Sequence, residues 1–328
     1  MFGRGKGGIE QVFLDYYQAL SPFHTVINIA DKKGWAITQL PNNECLPFSN
    51  LGAWDPLAAK RLRTMLQSAQ VDIIIAHGNR AITLAKKSNL PVIGIAHNYK
   101  LKHFDNIDAA FAITQDLKQI LESQGINSVF HIPNMIAPTN IKPMQFHMPP
   151  IIGTMGRFVA KKGFDIFIKS LAELKKQPIE FRAVIGGDGE EKAALEALIT
   201  QHQLSDNVRL IGWVEDKDAF FSNIDVFCLP SLHEPFGIVL LEAMARGIPC
   251  VVTDSEGPSE IAKHEHDALI ASKSDPISLG KQLTTMLKTP SLAENIAKEG
   301  INTASQYTVD AIAQRINKAL DTLHDTPK

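Results

Sequence analysis

Cysteine is scarce in this chain. Cys45, Cys228 and Cys250 are the three among 328 residues, far apart and without a CxxC pair. That spacing argues against a disulfide framework and a zinc ribbon, and it fits a reducing, cytoplasmic compartment. Cys228 and Cys250 sit inside apolar runs and read as buried thiols. Long hydrophobic runs are missing as well. The most apolar stretches, 71–76 and 236–245, fall far below the roughly 20 residues of a membrane-spanning helix. The start, MFGRGKGG, is basic but leads into no apolar core or small-residue cleavage site, so no signal peptide is expected. Neither charge dominates: 33 basic and 35 acidic side chains leave a net charge of −2, too balanced for nucleic-acid binding. Within that balance residues 1–150 carry +4 and the remainder −6, a tilt that reads first as ordinary solvated charge and otherwise as contact of the first half with an anionic partner or membrane surface. Hydrophobic residues at 45% and charged residues at 21% exclude a disordered chain and suit two globular domains.

What is present is an alternation of short apolar runs with longer amphipathic stretches. In the first half, 24–30, 71–76, 91–97, 109–114 and 129–132 read as strands, and 80–87 and 116–124 as helices, with Gly125 as a C-cap. Residues 137–150, APTNIKPMQFHMPP, hold four prolines and read as a linker. The alternation then restarts. Strands are expected at 151–155, 181–185, 208–211, 225–229 and 249–253. Helices are expected at 163–175, 190–202, 216–223, 237–246, 276–287, 291–299 and 308–323. Continuous apolar strands separated by helices indicate parallel sheets covered on both faces. The expected fold class is α/β, with two doubly wound Rossmann-like domains facing across a cleft. The first spans 1–145 and the second 146–307, and the terminal helix, 308–328, crosses back to the first. One element is conspicuous by its position: the glycine-rich segment 3–8 and a helix at 9–20 come first, where a doubly wound domain starts with a central strand. The first strand is therefore expected to be missing from the N-terminal domain.

Two motifs carry chemistry. In EPFGIVLLEAMARGIPCVVTD, 234–254, Glu234 and Glu242 flank a turn through Pro235 and Gly237 into a helix. The free amides of a helix start bind anions. Carboxylates only accept hydrogen bonds, so they suit hydroxyl pairs. The combination fits a nucleotide sugar, with phosphate in the middle and a diol at each end. In GRFVAKKGFDIFIKSLAEL, 156–174, Arg157 follows a strand and Lys162 precedes a helix, two cations able to neutralise a diphosphate.

These segments, with IGGDGEEKAAL, NVRLIGWVED and GPSEI in order over 151–262, closely resemble the C-terminal domain of the retaining GT4 glycosyltransferases of GT-B fold. GGIEQ at 7–11, DIIIAHG at 72–78, AHN at 96–98 and HIPN at 131–134 resemble the first domain more loosely. The resemblance implies a hexosyltransferase that moves a sugar from a nucleoside diphosphate, UDP ahead of GDP, to a glycan or glycolipid hydroxyl. Lipopolysaccharide or envelope polysaccharide synthesis at the inner membrane face is the implied setting. Arg157 and Lys162 match the diphosphate cations, Glu242 the ribose carboxylate, and Glu234 the acid facing the transferred sugar. Phe236, Gly237, Ile238 and Val239 match the turn whose amides meet sugar and phosphate. His97 matches a first-domain histidine that reaches across the cleft, and Gly7 and Gly8 the turn under the diphosphate. GGDG at 186–189 reads as a turn and cap, with proximity of Gly187 to the nucleotide as the alternative, and Trp213 and Val214 match the place where the base is contacted. No cofactor and no metal are implied, and the oligomeric state is left open.

Two other readings stay in view. An NAD-dependent oxidoreductase would use the N-terminal loop, where Gly3-x-Gly5-x-x-Gly8 with Asp31 imitates a dinucleotide fingerprint, although no strand precedes it. A non-catalytic nucleotide-sugar binder would keep the same cleft. His264, Glu265, His266 and Asp267 form a short run of metal-capable types in a polar loop. His77 either lines the cleft or is a core histidine.

Overall fold

A computed structural model of the chain describes residues 1–328 except 4, 6, 42, 43, 53, 138, 142–145 and 326–328. Parts of the expected linker, 137–150, and of the expected terminal helix, 308–328, therefore lie outside the described residues, as do two positions of the 3–8 glycine segment. The chain forms two compact units, Met1–Ala137 with Tyr307–Lys328, and Pro138–Gln306.

The first unit runs α1 (Gly8–Leu20), β1 (Asn28–Asp31), β2 (Cys45–Phe48), α2 (Pro56–Ser68), β3 (Ile74–His77), α3 (Asn79–Ala85), β4 (Val92–Ala96), β5 (Ala109–Ala112), α4 (Gln115–Ser123) and β6 (Val129–His131). The strand expected over 24–30 is confined to its second half, and residues 24–27 stay outside it. β2 and α2 carried no expectation. Pro47 and two exposed side chains hide β2 as an edge strand. α2 is started by Pro56 at its first turn and by the Asp55 side chain, which accepts from the Ala58 amide.

The second unit runs β7 (Ile151–Met155), α5 (Phe164–Lys175), β8 (Arg182–Gly186), α6 (Lys192–Gln201), β9 (Val208–Gly212), α7 (Lys217–Ser222), β10 (Val226–Leu229), α8 (Ile238–Ala245), β11 (Cys250–Thr253), α9 (Glu256–Ile261), β12 (Leu269–Ala271), α10 (Pro276–Lys288) and α11 (Pro290–Ser305). α9 and β12 are the elements here without a counterpart in the sequence reading. A last helix, α12 (Val309–Asp325), belongs to the first unit and packs against α1. Its stripe of Ile312, Ile316 and Ala319 is buried, and Ile136 bridges to Thr308 at its start.

In the second unit one parallel sheet has the order β12-β11-β10-β7-β8-β9. Ranked within the unit this is 3-2-1-4-5-6 read from the β9 edge, the doubly wound order, with its switch point between β7 and β10. Strands β10 and β11 are buried at every position, as parallel strands covered by helices must be. Phe158, Phe167, Phe181 and Ile185 anchor the core. Each contributes about 1.5–3 kcal/mol by leaving water.

The first unit divides its strands differently. Among the described residues β1 and β2 form one parallel pair, and β3-β4-β5-β6 a separate parallel sheet. Met1 lies along β1: its amine donates to the Ile29 carbonyl (2.8 Å), and its carbonyl accepts from the Asp31 amide (3.2 Å). Among the described residues no helix is long and apolar enough to cross a membrane.

Candidate functional site

In the second unit the loops leaving the C-terminal ends of β7, β8, β9 and β10 carry the sequence-predicted donor residues. The β7 loop passes through Arg157 into a short 3-10 helix, Ala160–Lys162, and then into α5. Its last residue before α5 is Gly163, at φ 65, where a Cβ would stand 2.1 Å from the Pro230 carbonyl oxygen. No side chain fits that contact, so the β7 loop seats directly on the loop that leaves β10. The Lys161 carbonyl fastens the two by accepting from the amides of Leu232 (2.9 Å) and His233 (3.1 Å).

This seating brings Lys162 to Glu234. Their side chains form an ion pair, and Ser231 Oγ lies 3.5 Å from the same carboxylate oxygen. Glu234 is buried. Arg157 is exposed and has no ion pair among the described residues. The β8 loop abuts the same place. Gly187, at φ 147, has its Cα so close to Gly156 that a Cβ would meet that carbonyl oxygen at 1.9 Å. Its amide donates to the Gly212 carbonyl at 2.6 Å, which ties it to the segment bearing Trp213 and Val214. Val214 packs toward Gly186, and Trp213 keeps half its surface in solvent.

After Glu234 the chain turns through Pro235, Phe236 and Gly237 into α8. Gly237, at φ 100, caps the helix without a side-chain hydrogen bond, so the first amides, Ile238 and Val239, precede any intrahelical acceptor. α8 is apolar on every side except for Glu242. That side chain is 17% exposed; Oε1 accepts from Lys217 Nζ at 2.6 Å, and Oε2 is buried with no partner. A buried acceptor left without a donor costs about 1–3 kcal/mol. Such an oxygen can accept a hydrogen bond from a hydroxyl brought beside it.

Two residues that the sequence reading did not single out hold this arrangement. Lys217 begins α7 and reaches Glu242. Glu256 begins α9 and accepts from the Glu234 amide (3.2 Å), while its other oxygen meets His233 Nδ1 (3.0 Å). Burial alone would raise the Glu256 carboxyl, but the hydrogen bonds it accepts outweigh that and hold it below the usual carboxylate range. The Gly257 amide donates to the Glu234 carbonyl (2.8 Å). The signal available for Glu256 was a serine followed by an acid at a helix start.

In the first unit His97 follows β4 and Gly7 caps α1 ahead of Gly8. His97 is partly buried with Nε2 enclosed and unpartnered, and desolvation lowers its pKa to about 4. Its ring stands 5.4 Å from that of His77, which Phe13 and Tyr16 meet edge-on. His77 is buried and Nδ1 has no partner, so it is a core histidine on the strand-end side of the sheet. Burial and the neighbouring His97 push its pKa well below the ordinary value. The two rings are therefore neutral at pH 7. In the loop after α9, His264 Nδ1 accepts from the Ile270 amide (2.9 Å), and no group of three metal-capable side chains occurs among the described residues.

Residues 138–303 match the family described as Glycosyl transferases group 1. Lipopolysaccharide core biosynthesis glycosyltransferase LpsE of Rhizobium meliloti is 27% identical over 326 residues, 95% of this chain and 94% of that protein. A glycosyltransferase from Rickettsia africae superposes with a TM-score of 0.84 at 17% identity, covering 100% of this chain and 98% of that one. HepE of Anabaena in complex with UDP superposes at 0.83 and 20% identity, covering 98% of each chain. On the match that spans about half its length, the chain belongs to the glycosyl transferases group 1 family, and it is a glycosyltransferase of the GT-B fold.

Proposed function

We propose that the chain transfers a hexose, with retention at the anomeric carbon, from a nucleoside diphosphate sugar to a hydroxyl of a lipopolysaccharide-core or other envelope glycan acceptor. A UDP-sugar is the favoured donor, ahead of a GDP-sugar. The second domain, 146–307, takes the donor; the first, 1–145, takes the acceptor and contributes His97 and the Gly7–Gly8 turn. The mild positive charge of residues 1–150 suits work at the inner face of the cytoplasmic membrane. The observation that carries this reading is the buried, unpartnered Oε2 of Glu242, one turn into a helix with an uncapped start. LpsE, a protein of lipopolysaccharide core synthesis, and HepE, whose structure was solved with UDP, support the acceptor and the donor respectively.

The chemistry follows from charge. As the bond between the anomeric carbon and the β-phosphate oxygen breaks, negative charge grows on the diphosphate. Arg157, Lys162 and the amides of Ile238 and Val239 are aimed at such charge and stabilise it without reorganising. Lys162 exchanges Glu234 for phosphate, and Glu234 turns to the sugar and the positive character developing there. The acceptor oxygen bonds to the anomeric carbon from the face the diphosphate leaves, and its proton passes to the departing phosphate oxygen. Glu242 holds the ribose diol, with Lys217 fixing its other oxygen. Trp213 and Val214 meet the base, and Gly187 leaves room beside it. No metal ion takes part in this scheme.

The test is a binding and hydrolysis screen against UDP-, GDP- and ADP-sugars, with Glu242→Gln alongside. One nucleotide sugar should bind and hydrolyse slowly, and the variant should bind it more weakly. Binding of NAD with no response to any nucleotide sugar would sink the proposal.

A further inference from the structure

The larger sheet of the first unit advances one strand at a time, β3-β4-β5-β6. Right-handed crossovers then place α3, the chain from β4 to β5, and α4 on one face. α3 links β3 to β4 and α4 links β5 to β6, but residues 97–108 contain no helix. Gly94 in β4 lets that stretch lie low. A Cβ there would stand 3.0 Å from the Phe104 ring and 3.2 Å from Ile107 Cδ1, so both side chains rest on the bare strand. A helix with its side chains is about 10–12 Å across, so a flat segment between two helices leaves a groove. Its volume is about 680 Å³, within the range of about 300–1,000 Å³ that small-ligand sites occupy.

The floor of the groove is fastened to both walls. Tyr99 Oη donates to Asp116 on α4 (2.8 Å). Thr83 Oγ1 on α3 meets His103 Nδ1 (3.2 Å), and Lys86, next after α3, donates to the Asp105 carbonyl (2.8 Å). Leu101 and Phe104 are buried beneath. The groove is therefore shaped before any ligand arrives, which lowers the ordering cost of binding.

Its charge is one-sided. Lys86 pairs with Asp105 (3.1 Å) and Tyr99 holds Asp116, so the acids on its floor and at the start of α4 have partners. Lys100 and Lys102 line the groove, are exposed, and make no ion pair or side-chain hydrogen bond among the described residues. Asn79 and Gln124 add amide side chains that both donate and accept, and Tyr99 adds a ring 40% exposed. Two unpaired ammonium groups suit an anion, and the amides and ring suit hydroxyls and the apolar face of a sugar. Asn79 stands two residues beyond the end of β3 and Tyr99 three beyond β4, just after His97. One end of the groove thus lies at the C-terminal ends of the strands. A membrane surface is the rival anion, but it calls for apolar anchors beside the cations. Among the described residues Leu51, Trp54 and Leu57 are the most exposed large apolar side chains of this unit, and they belong to the segment from β2 into α2.

We propose that the groove between α3 and α4 binds an acidic sugar of the acceptor, with Lys100 and Lys102 meeting its carboxylate or phosphate and Asn79, Gln124 and Tyr99 its ring. This rests on the acceptor role proposed above for the first domain, and it adds a charged subsite remote from the reacting hydroxyl.

The experiment is an NMR titration of the whole chain with glucuronic acid, glucose 6-phosphate, glucose and inorganic phosphate. The two charged sugars should shift the amides of Tyr99, Lys100, Lys102 and His103 to saturation. Glucose and inorganic phosphate should each bind at least about tenfold more weakly. The double variant Lys100→Gln, Lys102→Gln should lose the saturable shifts with its Tm unchanged. No saturable shift with either charged sugar overturns the site. Inorganic phosphate binding as tightly as glucose 6-phosphate overturns it too, because charge alone would then be read. Sedimentation with phosphatidylglycerol vesicles should be the same for the parent and the double variant; vesicle binding lost only in the variant assigns the lysines to a membrane and overturns the saccharide. The titration needs no donor, so a chain that binds a nucleotide sugar but neither charged sugar loses this site and keeps the proposed function, and the reverse result separates the two equally.

Discussion

Glu242 and Glu234 stand eight positions apart on one turn and helix, and each pairs with a lysine, yet Glu242 keeps one buried oxygen without a partner while Glu234 meets Ser231 as well as Lys162, so their conservative variants should separate. Glu242→Gln keeps the shape, but an amide nitrogen replaces one acceptor. Either the bond to Lys217 or the vacant acceptor at Oε2 is lost. Lys217 is half exposed, so losing its partner costs little in itself. The loss falls on the ligand. A hydrogen bond to a charged group contributes about 1.5–3 kcal/mol, so the affinity for a free nucleoside diphosphate should fall about 10- to 150-fold. Glu234→Gln acts in the other direction. It neutralises the partner of Lys162 and leaves that cation available to phosphate, so nucleoside diphosphate should bind at least as tightly as to the parent. Turnover should still fall, because Glu234 acts on the sugar chiefly in the transition state and such an interaction appears in kcat. The assay is calorimetric titration of both variants with UDP and GDP, followed by initial rates with the donor found in the screen. Should Glu234→Gln weaken nucleotide binding as much as Glu242→Gln, the division of roles fails.

Three further outcomes are expected. Gly163→Ala should cost more stability than Gly212→Ala, since both have positive φ but only the first meets a backbone oxygen; left-handed strain alone is about 1–2 kcal/mol, and equal melting losses would show that the β7 and β10 loops do not depend on that close approach. Stability should decline as pH falls from 6.5 to about 4, because the unfolded chain protonates His97 and His77 in that window while the folded chain keeps both neutral; the lowered Met1 amine adds the same sign between pH 8 and about 5. Urea midpoints at pH 7, 6 and 5 measure this, and His97→Asn should remove about one proton's worth of slope, roughly 1.4 kcal/mol per pH unit. Transfer activity should persist in EDTA, because the proposed charge neutralisation is carried by Arg157, Lys162 and helix-start amides; activity abolished by EDTA and restored only by Mg²⁺ or Mn²⁺ would refute that scheme.

Much of the second unit was legible because its strands are continuous apolar runs bounded by glycine and proline. The expected strand over 151–155 is β7 itself, and the helices expected over 163–175 and 276–287 differ from α5 and α10 by one residue at one end. The elements that escaped have weak local signals. β2 carries a proline, β12 is three residues long, and α9 contains Gly257 and Pro258. The paired cations and acids were visible as residue types at suggestive spacings. Their pairings were not, since Lys162 meets Glu234 across 72 positions and Lys217 meets Glu242 across 25. No periodicity links such partners; the sheet order does, by placing the ends of β7, β8, β9 and β10 side by side.

The Lys162–Glu234 pair has a consequence for selectivity. An inorganic phosphate or pyrophosphate that recruits Lys162 strands Glu234 as a buried carboxylate without a counter-charge, a penalty that can exceed what the new contact returns. In the proposed arrangement a nucleotide sugar escapes that penalty, because its phosphate takes the cation while its sugar hydroxyls donate to the released acid. The two ends of one ligand then help each other bind, whereas pyrophosphate and free sugar offered as separate molecules each meet a site already satisfied by its own side chains.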